Sequence, residues 1–194
     1  DMSSSNQSAF STGANLSYNE SSNITLTIQG ENTLIGGNGR DGLQIGADTQ
    51  LTISEKDAGD SLTLRGGNRG DGLSAGGSTL TIKSGTINAY GGNLGAGIGG
   101  NSATIEIEGG TIHAEGGECG VGIGGSNGTI TISGGVVEAI GGDPDEENSS
   151  PSRGGCGIGG SGCEITISGG VVAATGKDIK SGIEGESFST GENG

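Results

Sequence analysis

Five side chains with chemistry to offer recur at one spacing. Arg65, Tyr90 and Glu115 follow one another at intervals of 25 residues, as do His113 and Glu138. If positions 25 apart lie over one another, the five form one patch. That patch presents a ring to stack on, with a guanidinium, an imidazole and carboxylates to hydrogen-bond hydroxyl groups, which suits a sugar. His113 with Glu115 or Glu138 is also an acid–base pair of the right types. Glu115 with Glu138 supplies two carboxyl groups of the kind that glycoside hydrolysis uses. Arg65 is the only basic residue among them, whereas a β-elimination lyase needs a strong base inside an acidic groove. No catalytic residue is assigned from the sequence, and the five are candidate ligand-binding residues.

Asp143, Asp145, Glu146 and Glu147 form a second cluster, in the stretch DPDEENSSPSR at 143–153. Hard cations want several oxygens, so these four are the candidate calcium ligands, although no EF-hand or GGxGxD pattern accompanies them. Arg69-Gly70-Asp71 spells an integrin-type tripeptide, a motif common by chance, and here it falls at a corner of the repeat. Thr-x-Thr pairs at 25/27, 79/81 and 129/131 suggest a flat threonine array of the kind seen in some ice-binding solenoids. Gln50, Glu106 and Glu164 interrupt it, and β-branched Thr is in any case a good strand residue.

The elements that carry these residues repeat with the same metre. Residues 95–114 read GAGIGGNSATIEIEGGTIHA, 120–139 read GVGIGGSNGTITISGGVVEA, and 155–174 read GCGIGGSGCEITISGGVVAA. A period in the 20–50 range signals stacked units, each too small to bury its own apolar face. Each unit contains three extended pieces. Thr79-Leu80-Thr81-Ile82 and its equivalents alternate polar and apolar residues, as do Thr111-Ile112-His113-Ala114 and its equivalents. The third piece is Gly-x-Gly-Ile-Gly-Gly around Ile98, Ile123, Ile158 and Ile183. Gly-Gly corners separate the pieces, where positive φ favours glycine. The reading is all-β: a right-handed parallel β-helix of about six coils, starting near residues 23, 49, 78, 103, 128 and 163. Residues 1–22 are an N-terminal extension or cap, 23–185 the β-helix with an insertion loop at 143–153, and 186–194 a C-terminal tail. A shorter insertion covers Ser54–Asp60. A column of Asn38, Asn68, Asn93, Glu118 and Asp143 after each Gly-Gly is expected to form a side-chain ladder that satisfies turn groups.

GAGIGG followed by TI-x-I-x-GG-TI-x-A resembles the repeats of secreted or cell-surface bacterial right-handed parallel β-helix proteins, described as carbohydrate-binding-domain or adhesin-like proteins. The resemblance covers residues 75–185 closely and 23–75 loosely. It implies an extracellular or cell-surface, non-enzymatic module with polysaccharide or host glycan as partner, set among flanking domains of a larger surface protein. Relatives on such scaffolds include polysaccharide lyases and calcium-dependent sugar binders. A carbohydrate-active enzyme, lyase or hydrolase, working on the Arg65/Tyr90/His113/Glu115/Glu138 face is therefore the alternative.

Bulk composition fits this reading. Glycine accounts for 47 of 194 residues, and aromatics for 2%. A narrow core filled with Ile, Val, Leu and Ala needs few rings. The formal charge of −15 disfavours nucleic acid and anionic membrane surfaces as partners, since both demand Lys and Arg. No apolar run approaches the ~20 residues of a membrane-spanning helix. Beyond the candidate calcium ligands, no cofactor is implied. Cys119, Cys156 and Cys163 lack zinc-type spacing. The register puts Cys119 and Cys156 about 8 Å apart, beyond disulfide reach. They are read as buried free thiols, with Cys156 and Cys163 pointing inward.

Overall fold

The computed structural model describes residues 2–3, 10–12, 22–144, 154–178 and 180–190. Strict alternation at period two fixes which side of each strand is apolar, and stacking then buries that side against the same phase one coil away. Three parallel sheets result, each of seven strands, and no helix occurs among the described residues. The first sheet holds the Thr-x-Thr-Ile strands, from Asn23–Ile28 to Glu164–Ile167. The second runs from Glu31–Ile35 to Val171–Thr175. The third contains the short strands from Leu43–Ile45 to Ile183–Glu184. Met2–Ser3 and Phe10–Thr12 pair onto the starts of the second and third sheets, and Ser187–Thr190 onto the end of the first. The molecule is thus an all-β parallel solenoid of about six turns.

Equal phases stand over one another. Ile98 pairs with Ile123, which pairs with Ile158, and all three are 0% exposed. Ile82, Ile107 and Ile132 form a second buried column. These ladders merge into one continuous core along the solenoid. At the last coil, Ile167, Val172, Ala174 and Ile183 are only half-buried and pack against the end of this core.

The glycine corners have two different causes. After the first-sheet strands, Gly85, Gly110, Gly135 and Gly170 take φ between +82° and +99°, a region that side chains avoid. After the second-sheet strands, the Gly-Gly pairs at 66–67, 91–92, 116–117 and 141–142 have no positive φ. A Cβ at Gly67, Gly92, Gly117 or Gly142 would instead run into the backbone carbonyl one coil below. Positive φ therefore explains only the first kind. Nearby, Arg69, Leu94 and Cys119 occupy the left-handed region at φ 65°, 61° and 59°.

The shorter insertion is narrower than Ser54–Asp60, since the strand Gln50–Glu55 runs through its start. Asp60 closes the loop. Its carboxylate accepts the amide N–H of Gly30 at 2.6 Å and of Asp57 at 2.8 Å. These backbone donors hold its pKa below the ordinary carboxylate value.

Candidate functional site

The second sheet brings the five candidate residues together. Register pairs Thr63, Asn88, His113 and Glu138 in one outward column, and Arg65, Tyr90, Glu115 and Ile140 in the next. Neighbouring coils in a column are ~4.8 Å apart, so long side chains reach each other across the rungs. The Arg65 guanidinium carbon lies 4.3 Å from the centroid of the Tyr90 ring, a cation–π contact. The Tyr90 and His113 rings are 5.5 Å apart and tilted by 54°. His113 Nδ1 is 2.8 Å from Glu138 Oε2, and its Nε2 is 3.8 Å from Glu115 Oε2. One chain of contacts therefore joins all five residues: cation, ring, imidazole, then two carboxylates. His113 is 26% exposed, whereas Glu115 and Glu138 are 49% and 58% exposed. The face lies open, with both carboxylates beside the imidazole and about half exposed. Toward the later coils it becomes aliphatic, with Val136 and Val171 exposed in an adjoining column.

Other motifs resolve differently. Asp71 of the Arg-Gly-Asp tripeptide is turned back onto the scaffold, where its Oδ1 accepts the Ala96 N–H at 2.8 Å. Its carboxylate is not presented beside Arg69. In the Asn/Glu/Asp column, the Asn93 side-chain amide donates to Glu118, and Lys177 Nζ lies 3.3 Å from Asp143 Oδ1. Asn93, Glu118 and Asp143 of that column thus have side-chain partners. Asp145, Glu146 and Glu147 of the candidate calcium cluster lie outside the described residues. On the threonine face, Thr81 Oγ1 donates to Glu106 Oε2 at 3.0 Å, so the interrupting glutamate is tied into the sheet.

All three thiols are free. Cys163 is fully buried in the core. Cys156 is 3% exposed but stands outside the continuous core, in register with Ala96 and Val121 beside the third sheet. Burial, followed by the nearby Glu184 carboxylate, pushes its pKa up to about 11. Cys119 is only half-buried, because its corner residue faces outward.

Sequence reasoning missed an aspartate ladder that leads up to this column. Asp41 Oδ1 accepts the Asp71 N–H at 2.7 Å, one coil before Asp71 repeats the bond to Ala96. Burial, with the Asp71 carboxylate adding repulsion, raises the Asp41 pKa from 3.8 to about 6. Burial raises that of Asp71 as well, opposed by the Ala96 N–H and the Ser74 hydroxyl. A carboxyl whose pKa is raised on folding favours the folded state while protonated. Its contribution is complete below pH 3.8 and is lost as the pH rises to about 6. The shift from 3.8 to about 6 sets an upper bound of about 3 kcal/mol, less whatever solvent screening removes. Asp41→Asn keeps an oxygen for the Asp71 N–H and removes the charge. Urea unfolding should show the wild type losing stability between pH 4 and pH 7, and the variant losing less. Equal slopes would contradict this.

A family of proteins described as β-helix repeat matches residues 80–102, 105–127, 130–162 and 165–185, together just over half of the chain. No curated protein and no solved structure matches it. The matched segments follow the observed coils one for one, each beginning in a first-sheet strand and ending beyond a third-sheet strand. The chain belongs to the β-helix repeat family.

Proposed function

We propose that this β-helix is a non-enzymatic, extracellular or cell-surface module of adhesin type, which binds polysaccharide or glycan on the outer face of its second sheet. It would be one part of a larger surface protein. The observation that carries this reading is the unbroken contact chain from Arg65 through Tyr90 and His113 to Glu138 on an open face. Such a surface combines donors and acceptors for hydroxyl groups with an aromatic body. The solenoid supplies what a binder needs most, a rigid framework that orders these side chains before the ligand arrives. The same openness weighs against the alternative of a hydrolase or lyase. Acid–base chemistry on a glycosidic bond needs carboxyl groups that converge around it and exclude water, and Glu115 and Glu138 are about half exposed.

The test is a glycan array probed with the wild type and with Tyr90→Ala. The wild type should retain a defined glycan class, and the variant should bind it at least about tenfold more weakly, a loss of ~1.4 kcal/mol. Retention of no glycan by the wild type would overturn the reading. Release of reducing ends or unsaturated products from a bound polysaccharide would favour the enzyme instead.

A further inference from the structure

A concavity of about 570 Å³ opens on the third sheet, away from the Arg65–Glu138 face. We infer that this trough is a second binding site, a cleft for a linear, uncharged glycan lying along the solenoid axis. The inference rests on the glycan-binding reading and adds to it a distinct site and a ligand class.

The trough follows from the glycine pattern. Gly100, Gly124 and Gly160 line it without side chains, and all three take strongly positive φ. One rim is polar and periodic: Asn101, Ser126 and Ser161 occupy the same position in three successive coils, one residue per rung. The opposite wall is apolar, formed by Leu94, Ala96 and Val121. Leu94 is 48% exposed and held at φ 61°, an unusual conformation for a branched apolar residue. Asp71 and Ser74 stand at one end. Asp71 Oδ1 is engaged by Ala96, while its Oδ2 is turned toward Gly99, about 3.6 Å from where a Cβ there would sit. The raised pKa of Asp71 puts a perturbed titratable group in a concavity, which is where binding sites concentrate.

Three features select the ligand class. Equivalent rim groups recur every ~4.8 Å, close to the length of one hexose in an extended chain, so each rung can meet one sugar unit. An extended peptide repeats its side-chain direction every ~6.6 Å and would fall out of step after two rungs. It would also find no backbone partners, since the sheet's hydrogen bonds run between coils. No Lys or Arg lines the trough among the described residues, which disfavours anionic polymers. One polar wall and one apolar wall match the hydroxyl edge and the C–H face of a neutral sugar.

Cys119 lies on the rim and reports occupancy directly, while buried Cys156 and Cys163 serve as internal references. The full chain would be treated with iodoacetamide, with and without cellohexaose, xylohexaose or mannohexaose, using hexagalacturonate as the charged comparator. Peptide mass spectrometry would follow alkylation, and calorimetry would follow binding. At least one neutral hexasaccharide should slow Cys119 alkylation about tenfold at ~10 times its Kd. The protection should persist in Tyr90→Ala and vanish in Ser126→Trp, a rim substitution that fills the trough. Binding by calorimetry without protection of Cys119, or protection that survives Ser126→Trp, would overturn the trough and leave glycan binding on the second sheet standing. Hexagalacturonate protecting as well as the neutral sugars would overturn the ligand class. If no hexasaccharide binds by either readout, the trough falls, and the glycan array alone decides the second-sheet reading.

Discussion

Gly117→Ala should cost the protein about 3–5 kcal/mol, and a chain of marginal stability would then not fold at all. The residue has an ordinary φ, so the penalty is not conformational. A Cβ at this position would overlap the carbonyl group of Gly92 directly below, with the amide of Asn93 close behind. Backbone cannot step aside as a side chain can. Gly92 in turn sits on Gly67, and Gly142 on Gly117, so a shift at one corner disturbs the whole column. Gly39→Ala is the informative comparison. Gly39 takes φ 71° and has open space around it, so its cost is left-handed strain alone, ~1–2 kcal/mol. Urea midpoints should rank wild type, then Gly39→Ala, then Gly117→Ala. A Gly117→Ala protein as stable as Gly39→Ala would show that the coils are not in close backbone contact there.

Ile123→Ala should cost about 3–4 kcal/mol. Ile123 is 0% exposed between Ile98 and Ile158. The gap left by its missing methyl groups is walled by rigid strands above and below, so it cannot collapse. Because each coil touches only its neighbours, the loss falls on two interfaces and weakens the middle of the stack. Val136→Ala removes apolar atoms from a position 50% exposed and should change stability by no more than ~0.5 kcal/mol. The contrast is read from chemical denaturation of both variants. Similar losses would mean that the two phases are not inside and outside as described.

Much of this was legible in the residues themselves, because period and alternation are properties of the sequence. Ile98, Ile123 and Ile158 stack as their spacing requires, and the columns through His113 and Tyr90 contain the residues that counting by 25 places there. Contacts within the face were legible only as proximity. That Arg65 would lie over Tyr90, and that His113 would sit between two carboxylates, depends on rotamers that no spacing encodes. The glycines were half legible: positive φ was expected at the corners, but the second-sheet corners owe their glycine to carbonyls one coil away, a contact across the stack. Cys156 was expected to be a buried free thiol, and it is buried, beside a bend that precedes the short third-sheet strands. The trough and the Asp41 and Asp71 bonds to backbone amides lie beside the same bend, which leaves no periodic mark that distinguishes it from a plain corner.

The account depends on rungs that lie one above another, and methyl NMR measures this directly. In a protein labelled at the isoleucine δ1 methyls, neighbouring rungs ~4.8 Å apart should give strong cross-peaks from Ile98 to Ile123 and from Ile123 to Ile158. All three should be shielded from a soluble paramagnetic agent. Missing cross-peaks between these pairs, or broadening of the three methyls by the agent, would contradict the stacking, and with it both the Arg65–Glu138 face and the trough.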